Sequence, residues 1–163
     1  MKILALFAAV ALAGFAGLSA LRPAPRSGPE PLRYGADACS RCRMLLSEPG
    51  FAGEMRSARG ELTRYDDVGC LLRALRESRT ETPEAWVEDH QTRALVPLLK
   101  AALVAGKRVR TPMGHGIVAF ADQAQARAFA EEHGARIIPL EELLRHPDQL
   151  ASTASPSEGR ATR

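Results

Sequence analysis

Six residues, Cys39-Ser40-Arg41-Cys42-Arg43-Met44, bring two thiols and a thioether together, and a second group of soft donors stands far along the chain in Thr111-Pro112-Met113-Gly114-His115-Gly116. Three chemistries compete for the first group: a thioredoxin-like dithiol, half of a structural zinc site, and a soft-metal site. The dithiol needs its first cysteine at a helix N-terminus, where the helix dipole lowers the thiol pKa. Here Pro49-Gly50 halts any helix within two turns, and no strong strand precedes Cys39. A closed zinc site needs four ligands, commonly from two paired motifs, whereas this chain has one CxxC and an isolated Cys70. Methionine separates the remaining readings, because zinc makes no use of thioether sulfur while Cu(I) binds thiolate, thioether and imidazole. The expected centre is therefore a Cu(I) site in which Cys39 and Cys42 meet Met113 and His115 in space. Met44 is a weaker ligand candidate and His90, beside Asp89, is the reserve histidine.

Other residues of the same types have plainer readings. Met55 lies in a strand pattern and reads as core filler. Cys70 falls on the apolar face of a helix and reads as a small buried hydrophobe. His133 stands near a helix C-terminus, where the dipole favours a cation, and His146 precedes Pro147. Asp66-Asp67 has the composition of a hard-ion pair, but capping the next helix accounts for it.

The elements that must carry these residues fit one folded domain. The chain has 163 residues, 45% hydrophobic and 25% charged, which is ordinary globular composition. A net charge of +3, scattered basic residues and only 5% aromatic content argue against a nucleic-acid surface built on stacking. Three cysteines cannot all pair, so at least one thiol is free, metal-bound or shared with another chain. Residues 3–21 form one apolar run behind Met1-Lys2, so residues 1–21 read as an export signal or an uncleaved N-terminal membrane helix. Residues 22–33 are Pro-rich and read as a linker. A folded domain is expected over 34–146, and the Ser/Thr/charge-rich tail 147–163 reads as disordered.

Within the domain, the alternation around Arg59-Gly60 predicts a hairpin. Asp66 or Asp67 then caps a helix with apolar positions Val68, Leu71, Leu72 and Leu75. After a break at Thr82-Pro83, residues 85–89 predict a strand and residues 97–105 a second helix ending at Gly106. Residues 108–111 and 117–120 read as strands around the Met113 turn. Asp122 caps a helix through His133 to Gly134, residues 135–138 return as a strand, and a short helix follows Pro139. Both halves thus read strand, strand, Asp-capped helix, strand. The expected fold is α+β, two related ββαβ units packed together and preceded by an N-terminal hydrophobic helix.

On these residues the chain resembles the nitrous oxide reductase accessory proteins, the NosL-type periplasmic copper chaperones. The resemblance rests on Asp37-Ala38-Cys39-Ser40-Arg41-Cys42-Arg43-Met44, Tyr65-Asp66-Asp67-Val68-Gly69-Cys70, Trp86-Val87-Glu88-Asp89, and the Thr111 to Gly116 turn followed by Ala119-Phe120. It implies a Cu(I) site made by Cys39 or Cys42, Met113, and His115 or His90. It also implies delivery of copper to nitrous oxide reductase or another exported cuproprotein, without catalysis by the chaperone. Two positions depart from the family pattern. Phe15 follows Leu12-Ala13-Gly14 where the family's lipidated cysteine would stand, so a lipoprotein is not expected, and a periplasmic protein tethered through residues 3–21 is. Arg43 occupies a position usually held by Gly, which weakens Met44 as a ligand. The rival classes are an exported thiol-disulfide oxidoreductase using Cys39 and Cys42, and a structural zinc-binding interaction module.

Overall fold

The computed structural model describes residues 27–78 and 84–145. The apolar run, the tail 147–163 and the Thr82-Pro83 break fall outside the described residues. The fold is mixed α/β with two small antiparallel sheets. Strands β1 (Gly53–Arg56) and β2 (Leu62–Tyr65) form a hairpin, turned at Gly60 with φ 84. Helix α1 (Val68–Glu77) follows, then β3 (Glu84–Glu88) and β4 (Leu95–Pro97), giving a first sheet of order β2-β1-β3-β4. After a single 3-10 turn at Leu98–Lys100 come β5 (Ala102–Ala105), β6 (Ile117–Phe120), α2 (Gln123–His133), β7 (Arg136–Ile137) and α3 (Leu140–Arg145). The second sheet has the order β6-β5-β7. An isolated parallel bridge between Asp89, just past the end of β3, and Ala119 on β6 joins the two sheets.

Both long helices begin at the aspartates that the sequence marks. Asp67 caps α1 by accepting from the Gly69 N–H, and Asp122 caps α2 by accepting from Ala124 and Gln125. Such caps contribute about 1 kcal/mol each. Helix α2 stops at Gly134, whose φ of 56 is the left-handed cap conformation that glycine adopts without a Cβ penalty.

The residues expected to form a second helix over 97–105 form the end of β4, the 3-10 turn and β5 instead. The reason is two-sided burial. Leu103 and Ala105 face the main core with Ile117, Ala119 and the apolar side of α1, while Ala102 and Val104 face α2 with Val118 and Phe120. A central strand covered on both faces is a continuous apolar run, and short apolar runs do not distinguish strand from helix by period. Residues 108–111, expected as a strand, are irregular, with only Val109 buried among them.

The first sheet has unlike faces. One receives α1, so closely that a Cβ added to Gly53 would lie 2.7 Å from a Leu71 methyl. The other carries Glu54, Arg56 and Arg64 beneath residues 28–37. Glu30 donates its N–H to Glu54 (2.9 Å), Arg56 donates to the Gly28 carbonyl (2.9 Å), and Arg64 Nε lies 3.3 Å from Asp37 and 3.4 Å from Glu54. From Gly28 onward the Pro-rich stretch is thus laid along the sheet. It leads directly into the first cysteine.

Candidate metal centre

The segment holding Cys39 and Cys42 is a tight turn closed at its base by an antiparallel bridge between Ala38 and Leu45. Cys39 donates its N–H to the Met44 carbonyl (2.8 Å) and accepts from the Arg43 N–H (2.9 Å). Arg43 takes φ 68, a left-handed conformation costing a non-glycine residue about 1–2 kcal/mol. The turn is pinned on three sides. Ser40 donates to the Arg64 carbonyl on β2 (2.8 Å), Leu46 donates to the Asp37 carbonyl (2.9 Å), and Ser47 donates its N–H to the Asp66 carboxylate (2.7 Å).

Helix α1 brings the third thiol. Cys70 is the third residue of the helix, and the Sγ atoms of Cys39, Cys42 and Cys70 all lie within 4.8 Å of one another. Cys39 and Cys70 are buried, while Cys42 is half-buried and opens the cluster to solvent. Cys70 also touches His115, whose Nε2 is 3.6 Å from its sulfur. Gly69 makes this approach possible. A Cβ there would fall 2.2–2.3 Å from the Cβ, Cγ and Cδ2 atoms of His115.

The thiols share protons unequally. A hydrogen bond from Cys70 has the largest effect on Cys39; burial opposes it, but N–H groups of Cys42, Asp66 and Arg41 add to it and bring the thiol down to about 4. The same Cys39 contact, then burial, pushes Cys70 far up, and burial raises Cys42. Donors thus converge on the Cys39 sulfur, the one whose deprotonation its neighbours favour, and a metal binding to the cluster would displace the thiol protons that remain.

The turn carrying Met113 and His115 is fastened to the start of α1 by Asp67. Its Oδ2 accepts from the Thr111 hydroxyl (2.5 Å) and from the Met113 N–H (3.0 Å), while Oδ1 caps the helix at Gly69 (2.7 Å). Within the turn, Gly114 donates to the Thr111 carbonyl (2.9 Å) and Gly116 to the Thr111 hydroxyl (3.2 Å). Met113 is half-buried against the main core.

Of the candidate ligands, the fold brings Cys39, Cys42 and His115 to one place and holds Met113 in the adjoining turn. Met44 follows the cysteines but its side chain is 55% exposed. His90 is elsewhere in its contacts: its ring meets Phe51, Phe120 and Phe129 at centroid distances of 4.9, 5.8 and 5.2 Å, and its Nδ1–H donates to the Gly50 carbonyl (3.2 Å). Cys70 is the residue that helical patterning hides, because a buried thiol on an apolar face looks like core. Two signals mark it nonetheless: its place in the first turn after the cap, and a preceding glycine inside a helix.

Residues 34–146 match the NosL family model. The chain belongs to the NosL family. Among solved structures, the copper chaperone NosL from Shewanella denitrificans superposes with a TM-score of 0.63 at 22% identity, covering 72% of this chain and 96% of that one, so the two share a fold. No curated protein matches the chain significantly.

Proposed function

We propose that this family member is an exported Cu(I) metallochaperone that supplies copper for maturation of nitrous oxide reductase, and that it catalyses no reaction of its own. The observation that carries this reading is the cluster of Cys39, Cys42 and Cys70, three sulfurs within mutual reach of one ion. Thiolates select Cu(I), zinc or iron–sulfur clusters over hard cations. One half-exposed ligand, Cys42, beside two buried ones gives a bound ion an exchange route, which a carrier needs and a closed structural cage lacks. His115 and Met113 supply further soft donors from the second half. The likeness to a structure described as a copper chaperone supports the same reading. The pairing orders β2-β1-β3 and β6-β5-β7, each with its first strand central, support two related ββαβ units meeting at the site. We further propose that the domain works on the periplasmic side, with residues 3–21 as signal or tether and without a lipid anchor.

A zinc reading has one specific observation in its favour: the Cys70 contact with His115 completes a Cys3His set. Competition decides between them. The reduced protein is expected to take up about one Cu(I) per chain and to retain it against excess zinc, and Met113→Leu to weaken Cu(I) more than zinc. Equal or tighter zinc binding, insensitive to Met113→Leu, contradicts the copper reading. A dithiol oxidoreductase is disfavoured by placement, since the low-pKa thiol, Cys39, is the buried one and a substrate disulfide must reach the attacking sulfur.

A further inference from the structure

Two aspartates follow one another at the junction of the halves, and each fastens a different part of the centre. Asp66 receives Ser47, at the exit of the cysteine turn, and Asp67 receives Thr111 and Met113, in the opposite turn. Capping α1 needs only one oxygen of Asp67, the one bonded to Gly69. The second oxygen is fully engaged across the interface, 44 and 46 residues away in sequence. Directly beside this bond, His115 lies over Gly69 and against Cys70.

We infer that Asp67 is a positioning residue of the metal centre: it latches the Thr111 to Gly116 turn to the helix that carries Cys70, and so sets His115 at the thiol cluster. The inference rests on the copper reading above and deepens it. The physical case is a division of labour within one carboxylate. Oδ1 holds the helix start and hence Cys70. Oδ2 holds the turn and hence His115 and Met113. Both sides are referred to a single rigid, buried group, which is how an outer residue orients ligands it does not itself replace.

Asn caps a helix as well as Asp does, so Asp67→Asn separates the two jobs. Its carbonyl oxygen still accepts from Gly69, but its amide hydrogens face the Met113 N–H, donor against donor, and the turn is released. Gly69→Ala attacks the same arrangement from the other side, leaving Asp67 intact, favouring helix by its propensity, and displacing the His115 ring. Asp122→Asn, at the cap of α2 away from these contacts, is the control.

The test has a metal-free arm and a copper arm, both on the full chain. In the reduced apo protein, the nuclear Overhauser contact between the Gly69 amide and the His115 ring should persist in wild type and Asp122→Asn and disappear in Asp67→Asn. In competition against a chromophoric Cu(I) chelator, Asp67→Asn, Gly69→Ala and His115→Ala should each weaken Cu(I) binding by about 10-fold or more. The double variant Asp67→Asn/His115→Ala should lose less than the sum of its two single variants, because part of each loss passes through the same ligand. An Asp67→Asn protein that keeps the contact, binds Cu(I) like wild type, or adds its loss fully to that of His115→Ala overturns the latch. Wild-type protein without thiol-dependent Cu(I) uptake overturns the copper reading instead, and the latch is then decided by the Gly69–His115 contact alone.

Discussion

Asp67 and Asp89 are both fully buried carboxylates, and both tie the first half of the molecule to the second. Asp67 joins α1 to the Met113 turn, and Asp89 accepts from Gln91, from Thr92 through both N–H and hydroxyl, and from Ala121 at the end of β6. Their surroundings differ. Beside Asp67 stand three thiols and an imidazole with one sulfur open to solvent; beside Asp89 stands His90, enclosed by three phenylalanine rings. The same device therefore borders a cluster of soft donors at one end and a packed joint at the other. What distinguishes them is the polarisability and access of the groups placed next to the carboxylate, not the carboxylate.

The sharpest break in that comparison comes from the thiols. Cys39→Ser and Cys70→Ser should each weaken Cu(I) binding by more than about 100-fold, since even outer-residue changes cost ~10–100-fold; chelator competition measures it. At the other joint, Asp89→Ala strands its buried donors and should lower stability by about 2–4 kcal/mol in chemical denaturation. Copper affinity should stay within about twofold. A large copper effect there would erase the distinction between the two ends.

Acid sharpens it further. Burial holds His90 below its ordinary pKa, so its neutral form belongs to the folded state. Stability from this group is complete above the unfolded value of about 6.5 and is lost as pH falls from there through the folded pKa. Denaturation between pH 7 and 5 should show this slope in wild type and a flatter one in His90→Phe. Asp89 behaves differently: burial pushes it up, but the N–H groups of Thr92 and Ala121 outweigh that and hold it low, so its contribution is lost only below about pH 4. The smallest effect is expected at Arg43→Gly, which relieves the left-handed turn and should stabilise the protein by about 0.5–1 kcal/mol, with copper affinity unchanged.

Legibility in the sequence followed the locality of the signal. The hairpin at Gly60 and the helices begun by Asp67 and Asp122 are written in neighbouring residues, through turn chemistry and side-chain caps, and the structure has them there. Strand β5 is not local information. Ala-Leu-Val-Ala is a strand because α2 covers one face and the main core the other, and nothing within the run says so. The site divides likewise. Cys39, Cys42 and His115 announce themselves by type and by turn context. Cys70 and the second oxygen of Asp67 each already have an adequate local role, as core residue and as cap. Only the packing of the cysteine turn and of the Met113 turn against α1 gives them another. His90 shows the converse: a histidine beside an aspartate reads as a reserve ligand, whereas its ring lies among three phenylalanine rings and bonds a backbone carbonyl.

The measurement closest to the central claim is X-ray absorption at the copper edge on the Cu(I)-loaded, reduced full chain and on its Cys70→Ser variant. Three clustered sulfurs predict a sulfur-dominated first shell in wild type that loses a sulfur, together with most of the affinity, in the variant. A first shell and an affinity unchanged by Cys70→Ser would contradict the account.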